Sequence, residues 1–277
     1  MTRVEVITAG ALTTIQDLGR AGWAHVGVPR SGAADRPALV RANRLAGNED
    51  GAAALETTLV GPRLRFDGPA VVALTGAPVG TLPMHAPIPV AAGEVLRVGT
   101  ALTGLRTYIA IAGGIDGPLT LGSAATDLLT GLGPAPLRAG DVLRTGTGGA
   151  KGTPGCAFGP SSPVGALRVV LGPRADWFTA EALARLTGAE FTVSDQANRI
   201  GLRLHGPALE RSRPGEELRS EGLVPGAIQV PPDGRPILLL ADHPTTGGYP
   251  VIAVVHSEDI ALVAQFRPGG RARFRVA

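Results

Sequence analysis

The sequence predicts a mainly β protein with a few short helices, and three observations support this prediction. First, 40 glycines and 24 prolines among 277 residues fall at short intervals between apolar runs, as in chains of short strands joined by tight turns. Second, nine short apolar segments have strand character, and several alternate with period two. Third, only two segments have the pattern of a substantial helix, too few to cover both faces of a parallel sheet.

The nine strand candidates are spread along the whole chain. They are Val4–Thr8, Ala70–Thr75, Val95–Gly99, Arg106–Ala112, Leu167–Leu171, Leu202–His205, Pro236–Ala241, Val251–His256 and Ala272–Val276. The last of them belongs to a run of alternating arginine and apolar residues, which indicates one face towards solvent.

Each predicted helix carries its own start and stop signals. The first runs from about Asp35 to Ala46, with Asp35 as its cap, Pro37 in its first turn and Gly47 after its end.

The second helix runs from about Thr179 to Thr187. Thr179 is placed to cap it, Phe178 and Leu183 are spaced as a hydrophobic staple, and Gly188 ends it. A third, shorter helical turn is expected after Ser257 as its cap.

Glycine and proline are dense near the middle of the chain, so we predict two subdomains, residues 1–150 and 164–277, joined by a linker at residues 151–163. A weak internal repeat supports two related halves, because residues 59–66 align without gaps on 223–230, and 71–74 on 237–240. In each copy an amphipathic strand precedes a wholly apolar one. The alternative is chance similarity between β-hairpins.

Composition excludes several classes of function. The net charge of +3 gives no electrostatic reason to expect a nucleic-acid partner, and no apolar run is long enough for a membrane span, so we expect a cytoplasmic protein. Cys156 is the single cysteine and Lys151 the single lysine, which disfavours disulfides, cysteine-based metal sites and a covalently carried cofactor. No metal is expected. Neither a nucleophile elbow nor a phosphate-binding loop is present.

Three polar clusters remain as candidate sites. In the first, Thr14–Arg20, the side chains of Asp17 and Arg20 are suited to an anionic or amide substrate, or alternatively to pairing with each other to hold the loop.

The second cluster is Ser194–Gly201. Gln196 and Asn198 offer donors and acceptors for an amide, and Arg199 offers a planar fork for a carboxylate or phosphate. The alternative is an ordinary capped turn.

The third cluster, Ala241–Pro250, follows an apolar strand and is the most informative. Its substrate-contacting candidates are Thr245, Thr246, Gly247, Gly248 and Tyr249. Two hydroxyls and an unobstructed glycine backbone present several donors to one oxyanion, and Asp242 is placed to act as a base or to orient His243.

At these motifs the chain resembles the family of allophanate hydrolase subunit 2 and the C-type subunit of 5-oxoprolinase, a biotin-dependent carboxyltransferase-type family. The motifs that carry the resemblance are Thr14–Arg20, Gly27–Asp35, Ala42–Leu45, Ala112–Asp116, Val224–Pro231 and Thr245–Pro250. The resemblance implies two cyclophilin-like β-barrel subdomains and a partner, a homologue of the first subunit of the same family pair.

The leading hypothesis from this resemblance is a subunit of ATP-dependent 5-oxoprolinase, which converts 5-oxoproline to glutamate together with that partner and a ring-opening subunit. Asp242 and Arg199 are then the catalytic candidates, and Arg20 and Gln229 join the polar residues above as substrate contacts. ATP is expected to be bound by the complex rather than by this chain alone.

Two alternatives stay open. One is a carboxyltransferase component of a urea or amide carboxylase or allophanate hydrolase system, with biotin supplied by a partner. The other is a non-enzymatic regulator of a histidine-kinase inhibitor. Three residues depart from the family pattern: Ala124 and His243 stand where an arginine is usual, and Asn198 where an aspartate is usual.

Overall fold

The computed structural model describes residues 1–146 and 165–277, which form two compact units. Unit 1 holds Met1–Arg20 and the described residues from 31 to 146, and unit 2 holds Ala21–Arg30 and residues 165–277. The sequence did not indicate that Ala21–Arg30 groups with the second unit. The linker expected at 151–163, with Lys151 and Cys156, lies outside the described residues, so the subdomain boundaries stay predictions.

Within the described residues, unit 1 has ten strands and one α-helix. They are β1 (Arg3–Thr8), β2 (Leu12–Gln16), α1 (Arg36–Ala46), β3 (Ala54–Thr58), β4 (Arg63–Phe66), β5 (Ala70–Gly76), β6 (Pro87–Val90), β7 (Val95–Arg97), β8 (Arg106–Ile111), β9 (Ile115–Asp116) and β10 (Val142–Thr145).

These strands form two antiparallel five-stranded sheets, in the orders β7-β4-β1-β10-β9 and β2-β3-β8-β5-β6. One apolar core joins the sheets, with Val4 and Phe66 from the first and Leu74 and Ile109 from the second. Helix α1 packs on the second sheet through Leu39 and its neighbours. Because a layer lies on each side of the second sheet, all six residues of β8 are buried.

The ends of α1 follow the sequence signals. The Asp35 carboxylate accepts a hydrogen bond from the backbone N–H of Ala38 at 3.0 Å, which satisfies one of the free donors of the first turn. Gly47 ends the helix in the left-handed conformation, with φ 80°. The predicted helix and both of its caps are confirmed.

The described residues of unit 2 include nine strands and two α-helices. They are β11 (Leu167–Leu171), α2 (Ala180–Gly188), β12 (Glu190–Val193), β13 (Gly201–His205), β14 (Glu221–Gly222), β15 (Ala227–Gln229), β16 (Ile237–Leu239), β17 (Thr246–Gly247), β18 (Val251–Val255), α3 (Ile260–Val263) and β19 (Arg271–Val276).

Seven of these strands close a barrel in the order β11-β18-β15-β16-β13-β12-β19, and the parallel pair of β11 with β19 completes the ring. The interior is apolar and includes the rings of Phe191 and Phe274, whose centroids lie 5.8 Å apart. Strands β14 and β17 form a separate two-stranded ribbon. This ribbon carries part of the third polar cluster.

Helix α2 begins as predicted, because the Thr179 hydroxyl accepts a hydrogen bond from the N–H of Ala182 at 3.1 Å. It includes Gly188 and ends one residue later than predicted. The Ser257 cap is wrong: Ser257 is the first residue of a 3-10 turn, Ser257–Asp259, and neither this turn nor α3 has a side-chain cap.

All nine predicted strand segments contain an observed strand, so the mainly β prediction is confirmed. The repeat aligns β4 with β15, and the apolar strands β5 and β16 also correspond. The two copies pair differently, since β15 pairs with β16, whereas β4 and β5 lie in different sheets. In residues 1–146 and 165–277, no helix combines the length and apolar character needed to cross a membrane.

Candidate functional site

The second and third polar clusters meet through a buried ion pair in unit 2. Arg199 Nε donates to Asp242 Oδ2 at 2.9 Å, and Arg199 Nη2 donates to Asp242 Oδ1 at 3.0 Å. The side chains are 1% and 0% exposed. Two parallel hydrogen bonds between a guanidinium and a carboxylate fix both groups in one orientation.

Strand register explains why these distant residues meet. Strands β13 and β16 are antiparallel, with Gly201 opposite Leu239. Arg199 precedes β13 and Asp242 follows β16, so both lie at the same end of the strand pair. The Asp242 N–H also donates to the Arg199 carbonyl at 3.0 Å. This backbone bond extends the ladder and aligns the side chains.

Gln196 and Asn198 are part of the loop before β13, and Asn198 is exposed. Asn198 Oδ1 accepts from the N–H groups of Ile200 and Gly201, at 2.8 and 3.2 Å. This geometry is an Asx turn, the simpler alternative that the sequence left open. An aspartate makes the same contacts, so the change to asparagine leaves the turn intact. A substrate-binding role for Gln196 and Asn198 stays a prediction.

His243 is buried next to Asp242, at 5% exposure. Its Nδ1 lies 2.7 Å from the Pro244 carbonyl oxygen, so Nδ1 carries the proton and donates to it. The ring is therefore held by the backbone of its own loop.

A second group of predicted residues surrounds the β14–β17 ribbon. Gln229 is buried and donates from Nε2 to the Tyr249 carbonyl at 3.0 Å. A Cβ at Gly247 would lie 2.9 Å from this Nε2, so the Gln229 amide rests directly on the glycine backbone. Thr246 lies opposite Gly222 and is exposed. Thr245 accepts through its carbonyl from the Leu223 N–H.

A pocket of about 700 Å³ adjoins this ribbon, and all of its lining residues belong to unit 2. The lining segments are residues 208–211, 214–218, 232–234 and 248–249. Of the predicted substrate contacts, Gly248 and Tyr249 form part of the wall, and the Gln229 amide holds the Tyr249 carbonyl. A volume of this size accommodates a small organic molecule.

Arg211 is the one basic side chain in this wall, among the acidic residues Glu210, Glu216, Glu217 and Asp233. Arg211 Nη2 donates to the Val230 carbonyl, whereas its Nε is buried without a hydrogen-bond partner. Burial lowers the pKa of Arg211, and the charges of Tyr249 and Asp233 act in the opposite direction. The guanidinium therefore stays charged with donor capacity unused.

Sequence reasoning missed Arg211. It lies in a loop with three charged residues within four positions, a pattern typical of a solvated surface. What holds it inward is a set of backbone bonds from distant segments, such as Thr179 N–H to Glu210 and Ser212 N–H to Trp177. No local signal in the sequence encodes these bonds.

The first polar cluster lies in unit 1 and is anchored within it. Asp17 accepts from Gly19 N–H, Ser123 Oγ and Ala124 N–H at 2.6 to 2.7 Å. Arg20 is 2% exposed and donates to the Ala125 carbonyl. The two residues therefore hold the loop through residues 123–125, and the expected direct Asp17–Arg20 pair is wrong.

The Ala124 departure has a structural context, since this alanine is buried in the core of unit 1 and its N–H binds Asp17. Arg20 keeps one nitrogen, Nη1, buried without a hydrogen-bond partner, 4.0 Å from Asp127 Oδ2. A substrate contact by Arg20 stays a prediction.

Unit 1 also contains a buried network that the sequence did not indicate. The Tyr108 hydroxyl donates to Glu56 Oε2 at 2.6 Å and accepts from the Asp35 N–H at 2.7 Å. Arg106 Nε lies 3.3 Å from the other Glu56 oxygen. Burial first, and then the charges of Glu56 and Asp35, raise the pKa of Tyr108 well above its ordinary value.

In the part of the chain that the structure describes, no three His, Cys, Asp or Glu side chains are grouped closely enough to hold a metal ion. The polar groups of unit 2 therefore have to be interpreted through hydrogen bonding and charge.

Comparison with known proteins extends over almost the whole chain. Residues 26–276 match the family described as carboxyltransferase domain, subdomain A and B. The chain is 38% identical to the C-type 5-oxoprolinase subunit of Escherichia coli (strain K12), over 98% of this chain and 90% of that protein.

Two solved structures show the same fold. The crystal structure of TTHA0988 is 37% identical with a TM-score of 0.88, over 99% of this chain and 55% of that one. The Kluyveromyces lactis urea carboxylase is 31% identical with a TM-score of 0.91, over 99% of this chain and 27% of that one. The chain thus spans about half of the first solved protein and about a quarter of the second.

Proposed function

Because the chain belongs to the carboxyltransferase domain family, subdomain A and B, we propose that it is the C-type subunit of an ATP-dependent 5-oxoprolinase. The identity of 38% to a subunit of that type, over nearly the full length of both chains, supports this function. In the proposed complex, the activity is completed by a homologue of the family's first subunit and by a ring-opening subunit.

The observation that carries the substrate assignment is the charge pattern of the unit 2 pocket. One guanidinium with an unpartnered buried Nε, on Arg211, faces a wall that otherwise carries carboxylates. A lactam acid such as 5-oxoproline has an anionic carboxylate for the guanidinium and a ring N–H for a carboxylate acceptor. The pocket residues therefore match both polar ends of the proposed substrate.

The chain's task in this proposal is to bind and orient the lactam. Opening a lactam is slow because amide resonance must be lost, so a fixed orientation of the carbonyl is a large part of catalysis. Gly248 and Tyr249 form the wall beside Arg211, and Gln229 fixes their backbone. Asp242 and Arg199 act here as positioning residues, since their charges are directed at each other.

ATP does not fit this pocket. A triphosphate would meet four carboxylate side chains and a single guanidinium, and like charges at short range are repulsive. We therefore assign ATP binding to another part of the complex and derive no step through it at these residues.

A coupled assay tests the proposal. The purified chain is combined with the first-subunit homologue and the ring-opening subunit, and ADP and glutamate are measured with each subunit left out in turn. Glutamate formation that requires this chain supports the proposal. Full activity without this chain contradicts it.

A second function is favoured by the 31% identity to the urea carboxylase and the TM-score of 0.91. In that case the chain is a carboxyltransferase component, and biotin comes from a partner. Incubation with carboxybiotin and urea or simple amides distinguishes the two, because a carboxyltransferase consumes carboxybiotin without ATP, and a 5-oxoprolinase subunit does not.

A further inference from the structure

We infer that unit 1 carries a binding site for a phosphate-type oxyanion between Arg63 and Arg97. The two residues lie directly opposite each other, on the antiparallel strands β4 and β7. Like charges at such positions repel and destabilise a sheet unless something compensates for them. This arrangement calls for an anion between the side chains.

Neither arginine has an ion-pair partner among the described residues, and Arg63 Nε is buried without a hydrogen bond. Arg65, two residues along the same strand, differs: it donates to Glu5 at 3.0 Å, across from it on β1. The sheet therefore provides a carboxylate for one arginine of this face and none for the pair.

A cavity of about 560 Å³ adjoins the two guanidinium groups. Apart from Val60 and the two arginines, its lining consists of glycine, alanine and threonine at residues 8–10, 61, 99–100 and 139. No acidic side chain lines it, in contrast to the pocket of unit 2. The Thr8 and Thr100 hydroxyls add two donors of the kind that bind oxyanions.

The charge of the surrounding face favours a multivalent anion. The solvent side of this sheet also carries Arg3 and Arg144, which lie opposite each other on β1 and β10. A single carboxylate satisfies one guanidinium fork, whereas a tetrahedral phosphate presents oxygens to two forks at once. The geometry thus suits a phosphoryl group, from free phosphate or from a nucleotide.

Calorimetric titration of the full chain with inorganic phosphate at low ionic strength tests the site. We expect saturable binding to one site, weakened about tenfold or more by Arg63→Gln and by Arg97→Gln. The control Arg65→Gln removes the same charge from the same strand outside the cavity and should change the affinity less than about twofold. If Arg63→Gln fails to fold by circular dichroism, the exposed Arg97 decides the matter alone.

Three results would overturn the site: no saturable phosphate binding, equal weakening by Arg65→Gln, or acetate binding as tightly as phosphate. Two further titrations identify the source of the phosphoryl group. Displacement of phosphate by ATP and ADP at the same arginines points to a nucleotide, and failure to displace points to the free ion. The measurement reads binding alone, so its outcome is independent of the proposed reaction.

Discussion

Arg199 and Asp242 are joined by two hydrogen bonds, of 2.9 and 3.0 Å, at side-chain exposures of 1% and 0%. Removing one partner of such a pair leaves an uncompensated buried charge. Asp242→Ala should therefore destabilise the chain by about 3–5 kcal/mol, measured as the free energy of unfolding in urea.

The matched control for this prediction is Arg185→Gln. It breaks the exposed Arg185–Glu210 pair, whose side chains are 43% and 61% exposed, and should leave stability unchanged within error. The double variant Arg199→Met with Asp242→Leu should lose less than the sum of the single changes, because it leaves no unpaired charge. Additive losses would show that the two residues act separately.

Arg211 should determine substrate affinity in the reconstituted complex. Arg211→Gln removes the guanidinium from the acidic pocket wall, so we expect KM for 5-oxoproline to rise about tenfold or more, with Arg211→Lys intermediate. Steady-state kinetics measure this change. Arg213→Gln is the control, since Arg213 stacks on Trp177 outside the pocket lining. An unchanged KM in Arg211→Gln would remove this residue from the site.

Gly247 should tolerate no side chain. A Cβ there would lie 2.8 Å from Leu223 Cδ1 and 2.9 Å from Gln229 Nε2, so Gly247→Ala displaces the amide that holds the Tyr249 carbonyl. We expect a loss of about 1–3 kcal/mol in stability together with reduced activity.

Gly222 provides the comparison within the same ribbon, because a Cβ at that position meets nothing within 4 Å. Gly222→Ala should leave both stability and activity near the wild-type values. Adding Gln229→Ala to Gly247→Ala should recover stability, since it empties the space that the new methyl group needs. No recovery in the double variant would refute the steric explanation.

Tyr108 links folding to alkaline pH. Its pKa is raised well above its ordinary value of 10.0 in the folded chain, so the folded state retains a proton that the unfolded state releases. Its contribution to stability is therefore complete below about pH 10 and is lost as the pH rises through the folded-state pKa. Comparing the phenolate absorbance of the wild type and Tyr108→Phe during a pH titration measures this effect. A difference that appears before unfolding, near the ordinary tyrosine pKa, would contradict the prediction.

Local sequence signals were sufficient for the elements and their ends. Asp35 and Thr179 cap helices as predicted, because a cap depends only on residues three positions away. The alignment of residues 63–66 with 227–230 also corresponds to observed strands. The pairing of those strands was not predictable, since a hydrophobic period of two does not specify the neighbouring strand.

The candidate site was accessible from the sequence only in part. The third cluster contributes Gly248 and Tyr249 to a pocket wall, as glycine-rich loops after buried strands often do. Arg211 and the Glu56–Tyr108 bond depend on contacts between segments far apart in the chain. A charged residue in a loop, or a glutamate in a strand, has the same local pattern whether it is solvated or buried.

Residues Ala21–Arg30 belong to unit 2 although unit 1 precedes and follows them in the chain. A single cut between residues 146 and 165 would therefore yield two defective fragments. The amino-terminal fragment would carry ten surplus residues in its interior sequence, and the carboxyl-terminal fragment would lack them. Genes designed to express the halves separately have to transplant this decapeptide, for example by grafting it ahead of residue 165 and bridging residues 20 and 31 with a short spacer.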